Sequence, residues 1–106
     1  GDGSIQMNIQ ELQTIVFNKL PIKIIVLNNS GYGIIKQFQE LYLGKRYVAT
    51  TPNSGVTNPD FKKVSQAYGI RYTMIRNHKN LFFSIRVIIK NISDNFLFFR
   101  TFCPRI

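Results

Sequence analysis

Gly1-Asp2-Gly3-Ser4 and Asn28-Asn29-Ser30-Gly31-Tyr32-Gly33 are two glycine-punctuated loops, each carrying oxygen ligands and each placed to feed a helix. In the first, the glycines admit close approaches that a Cβ would forbid, Asp2 offers a carboxylate and Ser4 a hydroxyl. Ile5, Ile9, Leu12, Val16 and Leu20 then recur on one face of a 3.6-residue period and predict an amphipathic helix. The free N–H groups of its first turn would face the glycine loop, where an anion is favoured. Pro21 heads the short β-branched run Ile22-Lys23-Ile24-Ile25-Val26-Leu27, which reads as a buried strand of a parallel sheet. The second loop follows and leads into another helix through Ile34, Ile35, Phe38 and Tyr42. Two loops at helix starts, one of them at a strand end, are the ligand-binding arrangement of open α/β sheets.

The donor set narrows the ligand. One carboxylate, one amide oxygen and a loop carbonyl are too few for a self-sufficient Ca²⁺ cage. They suit Mg²⁺, which takes octahedral oxygen and is shared between one or two carboxylates and substrate phosphates. No Cys/His cluster stands in the sequence, so zinc is excluded on ligand softness and count. Either loop alone also reads as a plain turn beside a capped helix. The two in order, each before a helix, point to a site.

GDGSIQMNIQELQTI followed by IKIIVLNNSGYGIIKQF resembles the diphosphate-binding domain of thiamine-diphosphate-dependent enzymes of the acetolactate synthase and pyruvate decarboxylase type. The family motif is GDG, a spacer of residues 4–27 here, then NN; the similarity runs on through Asn58-to-Ile70, NPDFKKVSQAYGI. The resemblance implies an α/β fold, a partial open parallel sheet flanked by helices. It implies thiamine diphosphate and Mg²⁺ as cofactors. Asp2 and Asn29 would bind the metal through side chains and Gly31 through its carbonyl, while Gly3, Ser4, Asn29, Gly31, Tyr32 and Gly33 would serve the cofactor. A 2-oxo acid substrate, decarboxylated or carboligated, and a homo-oligomeric parent enzyme are implied with them. The family's catalytic glutamate lies in a separate pyrimidine-binding domain, and no residue here matches it, so no catalytic residue is assigned.

At 106 residues the chain is one domain at most. It opens inside a motif, without an initiator Met or a signal peptide. That predicts a fragment lacking the strand before the first loop and the upstream domains, and catalytically inactive by itself, with weak or undetectable cofactor binding and poor two-state unfolding. Cys103 is the single cysteine, which excludes a disulfide framework and suits a cytoplasmic setting; a Cys103–His78 nucleophilic pair would need the fold to join them. No apolar run approaches the ~18 residues of a membrane span.

Lys45, Arg46 and Tyr47 follow the second helix and, by the resemblance, stand near the active-site mouth, where they either meet an acidic substrate or belong to a solvated loop. Asn58-Pro59-Asp60-Phe61 reads as a helix start with Asn58 at the N-cap and Phe61, Val64 and Tyr68 facing inward. Gly69 ends that helix, and Ile70-to-Ile75 reads as a strand.

Residues 78–106 change character. Beyond Gly69 there are seven Lys/Arg against the single acid Asp94, and six of the nine phenylalanines lie at Phe82, Phe83, Phe96, Phe98, Phe99 and Phe102. Leu81-to-Lys90 can be read as the family's last helix, but Phe96-to-Ile106 offers no family-like final strand. A shifted reading frame and a divergent lineage are the two explanations open. The net charge of +9 raises the alternative of a nucleic-acid-binding module using Arg71, Arg76, Lys79, Arg86, Lys90, Arg100 and Arg105 with aromatic platforms. Clustering of the phenylalanines and the absence of RNP-like or helix-turn-helix text weigh against it. A third reading is a non-functional relic.

Overall fold

A computed structural model describes residues 1–90 and 96–101. Helices α1 (Asp2–Gln6) and α2 (Glu11–Phe17) precede strand β1 (Lys23–Asn28) and helix α3 (Gly33–Tyr42). Helix α4 (Phe61–Ala67), strand β2 (Arg71–Ile75), helix α5 (Leu81–Lys90) and strand β3 (Phe96–Thr101) follow. The three strands form one parallel sheet in the order β1-β3-β2. Lys23 pairs with Phe96 and Asn28 with Thr101 on one side of β3, and Arg71 with Phe96 and Ile75 with Arg100 on the other. The architecture is the expected α/β one.

The sheet corrects the reading of the chain's end. Phe96-to-Ile106 was expected to supply no final strand, yet Phe96–Thr101 is the central one. A strand flanked on both sides in a parallel sheet reads as a continuous apolar run, and FLFF is such a run, with no alternation to announce it. Cys103 lies outside the described residues, and with it the Cys103–His78 pairing.

Three further expectations shift in detail. The helix expected through Ile5 to Leu20 is two short helices joined at Met7–Gln10, where tight bonds such as Asn8 N–H to Ile5 O and Glu11 N–H to Asn8 O replace the regular ladder. The apolar face survives the break. Leu12 is buried, and Ile5, Ile9 and Val16 pack around the core of Leu12, Val26, Phe61 and Ile70, while Leu20 escapes it. Strand β1 is covered on one face only: Val26 is 2% exposed, its neighbours Ile25 and Leu27 more than half exposed. On α3, Ile34, Ile35, Phe38 and Tyr42 likewise face outward, and Phe38 and Tyr42 pack on each other at 4.9 Å.

Helix α4 starts two residues later than its sequence suggests. Asp60, not Asn58, is the N-cap, its carboxylate accepting from the N–H groups of Lys62 and Lys63. Phe61 is buried, with Val64 and Tyr68 packed beside it as expected, and Gly69 leaves the helix in the left-handed region at φ +67°. With faces of β1 and α3 uncovered, the radius of gyration is 15.6 Å, against about 13 Å for a compact domain of this length.

Packing, more than capping, holds α4 in place. Phe61→Ala is expected to cost about 3–5 kcal/mol through lost burial and the cavity left behind, and Asp60→Ala about 1 kcal/mol. Urea midpoints of the two variants check this; a larger loss in Asp60→Ala than in Phe61→Ala would show that the cap, not the core contact, fixes the helix.

Candidate functional site

Asp2 sits in the first turn of α1 and is the most deeply placed acid among the described residues, 1% exposed. Its Oδ2 accepts from the Gly31 N–H at 3.2 Å and from the Asn58 amide. Burying a carboxylate costs several kcal/mol even after relaxation. Each hydrogen bond to a charged group returns about 1.5–3 kcal/mol, so two donors on one oxygen offset much of that cost. Oδ1 receives neither of them and faces Asn29.

The second loop is turned toward Asp2 by its own short-range bonds. At the end of β1, Asn28 Oδ1 accepts from the Ser30 N–H at 3.0 Å, and Ser30 takes a left-handed φ of +61°. Gly31 then passes against the backbone of Thr50. A Cβ on Gly31 would lie 2.2 Å from the Thr50 carbonyl oxygen, and that same oxygen accepts from the Tyr32 N–H at 3.0 Å. Thr50 is itself anchored: 2% exposed, it donates through Oγ1 to Gln39 Oε1 at 2.7 Å, while Gln39 Nε2 donates to the Val48 carbonyl at 3.0 Å. A buried polar strut thus ties α3 to the loop that presents Gly31. The Tyr32 ring covers Gly3, 2.6 Å from where a Cβ there would stand, and so closes the first loop against the second.

Asn29 completes the cluster. With its NH₂ group turned inward, it donates to the Gly31 carbonyl and to Asp2 Oδ1, both at 2.8 Å. Turned the other way, its amide oxygen meets those two oxygens with no hydrogen between them. The amide orientation is fixed by its surroundings, not by its shape. Without a cation the first arrangement is satisfied; the second is satisfied only by a cation among three oxygens. One carboxylate, one amide oxygen and one backbone carbonyl are hard donors, and they fit Mg²⁺ with positions left for phosphate oxygens and water.

All seven residues singled out in the sequence — Asp2, Gly3, Ser4, Asn29, Gly31, Tyr32 and Gly33 — line one cavity of about 730 Å³. That is within the usual range for small-molecule sites. Leu27, Ile34, Ile35 and Gln37 also line it, so one side is apolar, and the first turn of α3 opens onto it. Lys45, Arg46 and Tyr47 do not line it. The Tyr47 hydroxyl donates to Glu40 at 2.8 Å, a bond that raises its pKa above the ordinary value of 10. Lys36 lies 3.7 Å from Glu40 and 5.8 Å from the Tyr47 ring centre. Tyr47 is therefore engaged with α3.

Asn58, Gln6, Thr50 and Gln39 were not read from the sequence as site residues. Asn58 resembled a helix cap, and its contact with Asp2 spans 56 positions, which no local pattern reveals. Gln39 carried a faint signal, as the buried polar residue of a helix whose apolar side chains face outward.

Residues 1–94 match the family described as thiamine pyrophosphate enzyme, C-terminal TPP binding domain. The chain belongs to this family. Thiamine diphosphate with Mg²⁺ is the cofactor pair that membership implies. The acetolactate synthase large subunit of Pyropia yezoensis is 42% identical over 89 residues, covering 84% of this chain and 15% of that protein. The acetolactate synthase isozyme 2 large subunit of Escherichia coli is 44% identical over 70 residues, 66% of this chain and 12% of that one. Among solved structures, a thiamine diphosphate-dependent 4-hydroxybenzoylformate decarboxylase of Rhodococcus jostii matches with a TM-score of 0.74 and 26% identity, covering 95% of this chain and 18% of that one. The chain thus spans about 15% of the length of the curated relatives it matches. Among the described residues, no helix is long and apolar enough to cross a membrane.

The Gly31–Thr50 contact is a constraint on the loop before any ligand arrives. Gly31→Ala is expected to lower stability by about 2–3 kcal/mol, since the opposing atom is backbone and cannot turn aside. Urea denaturation without cofactor checks it. A loss below about 0.5 kcal/mol would mean that the loop shifts freely.

Proposed function

We propose that this chain is the cofactor-anchoring part of a thiamine-diphosphate-dependent enzyme acting on 2-oxo acids, of the acetolactate synthase or decarboxylase kind. The observation that carries the reading is the convergence of Asp2 Oδ1, the Asn29 amide and the Gly31 carbonyl at the wall of a cavity on the family's two-loop motif. In this reading Asp2, Asn29 and Gly31 hold Mg²⁺. Gly3, Ser4, Tyr32 and Gly33 lie along the diphosphate, with Asn29 and Gly31 shared between metal and cofactor. Once bound, thiamine diphosphate supplies carbanion stabilisation.

The chain's own residues bind and orient. Asp2 contributes the negative charge that an amide and a carbonyl lack, so the metal is neutralised jointly by protein and diphosphate. The Gly31 N–H, by holding Oδ2, couples the position of the carboxylate to the position of the Gly31 carbonyl on the same residue. Leu27, Ile34 and Ile35 give the cavity an apolar wall on one side, although each is more than half exposed in this chain. No described side chain is assigned a proton-transfer role. The acetolactate synthase names of the relatives support carboligation over simple decarboxylation; a homo-oligomeric, cytoplasmic parent belongs to the proposal without that support. The basic, aromatic-rich tail has no comparable support as a nucleic-acid surface, because the family match accounts for most of the chain, through residue 94.

Thermal melting of the chain with millimolar thiamine diphosphate and Mg²⁺ tests this. A ligand at about a hundred times its dissociation constant adds about 2.7 kcal/mol, so the melting temperature should rise by several degrees. The rise should vanish with a chelator and in Asp2→Ala. A rise that persists in both would remove the metal assignment, and no rise at any concentration would overturn the reading that this chain anchors the cofactor by itself, in line with the weak binding its sequence predicts.

A further inference from the structure

We infer that Asn58, held in orientation by Gln6, is a positioning residue that dedicates one oxygen of Asp2 to the protein and leaves the other for the metal; this rests on the reading of Asp2 as a metal ligand. The relay begins at Gln6 in the last turn of α1, whose Nε2 donates to Asn58 Oδ1 and, at 3.4 Å, to the Thr57 carbonyl. A side-chain amide has one accepting end and one donating end. Once Oδ1 of Asn58 is taken by a donor, its NH₂ end is the end that faces Asp2, and it donates to Oδ2. The Gly31 N–H adds a second bond to the same oxygen.

The consequence lies in what Oδ2 can no longer do. Two donors converge on it, so a cation approaching there would meet their positive ends. Oδ1 has Asn29 as its partner in place of these donors, and Asn29 can turn its amide. A buried carboxylate free to rotate would offer either oxygen, or both, and lose the match to the Gly31 carbonyl. The relay removes that freedom. It is also well supported from behind. Pro59 restricts Asn58 to extended backbone, and Asp60 caps α4 two residues on, so Asn58 projects from a fixed point. Gln6 and Asn58 lie outside the set of residues lining the cavity and have no direct part in ligation.

Outer partners that orient metal ligands typically contribute 10–100-fold in metal affinity, and that sets the expected effect. Mn²⁺ in place of Mg²⁺, followed by its electron paramagnetic resonance signal, gives a dissociation constant for the chain with excess thiamine diphosphate. Asn58→Ala should weaken Mn²⁺ binding at least tenfold, and Gln6→Ala about threefold to tenfold. Because Gln6 acts through Asn58, the double variant should be no weaker than Asn58→Ala alone. Measured well below the metal-free melting temperature, a residue that only supports packing would lower that temperature and leave the Mn²⁺ constant unmoved.

If the wild-type chain with thiamine diphosphate binds no Mn²⁺, the metal reading and this inference fall together. If the wild type binds, Asp2→Ala does not, and Asn58→Ala binds within twofold of wild type, the relay alone is overturned. Additive losses in the double variant would also overturn it. Should Asn58→Ala fail to fold, Gln6→Ala at the outer end of the relay decides, with a loss of threefold or more supporting the inference and an unchanged constant refuting it.

Discussion

A buried carboxylate with two donors on one oxygen is the constraint on which the candidate site depends. Asp2 accepts from Gly31 and Asn58, residues 29 and 56 positions away in sequence. Both contacts are necessary in the same sense: a buried charge without them carries a penalty of several kcal/mol, a large share of the 5–15 kcal/mol by which domains are stable at all. The first loop, the second loop and the segment entering α4 are therefore held to one point by electrostatics, where apolar packing alone would leave them free to slide.

Apolar packing does a different job. The core of Leu12, Val26, Phe61 and Ile70 joins α2, β1, α4 and the approach to β2, and it lies on the covered face of β1. It sets the distance between α2 and α4 but not the direction of any polar atom. Direction comes from the Thr50–Gln39 strut, the Asn28–Ser30 turn and the clash that any Cβ on Gly31 would meet. These interactions are short and directional, so they can place a carbonyl to within a few tenths of an ångström, which packing of Ile and Leu does not.

Much of this was legible in the sequence, and what was not has physical causes. The two loops, β1 and α3 follow from periodicity and glycine placement, the α/β architecture was implied by the family resemblance, and all seven residues that the chemistry and the resemblance marked line one cavity. The break at Met7–Gln10 was hidden because tight turns preserve the three-to-four spacing of Ile5, Ile9 and Leu12. Strand β3 was missed because a central parallel strand carries no alternation. Asn58 was misread because a cap and a long-range amide donor use the same residue type, and only Asp60, two positions on, could have argued for the cap elsewhere. Thr50 and Gln39 pair across a turn that composition marks simply as a loop.

The cluster and the uncovered surface are separable. Asp2, Asn29 and Gly31 are positioned by α1, the end of β1, the Thr50 turn and Asn58, all within residues 1–60 and all through contacts internal to the chain. None of these contacts involves the exposed side chains of Ile25, Phe38 or Phe82. The open faces therefore bear on how often the whole arrangement is formed and leave its geometry once formed unchanged. A dissociation constant measured on such a chain is the intrinsic one divided by the fraction of molecules in the competent state. A change to the directional contacts alters the first factor, and covering the apolar faces alters the second. The Asn29 amide sits between them: turned inward it bonds to Asp2 Oδ1 and Gly31 O and holds the three groups together, and under the proposed metal reading the rotation of this one side chain would exchange those two bonds for ligation.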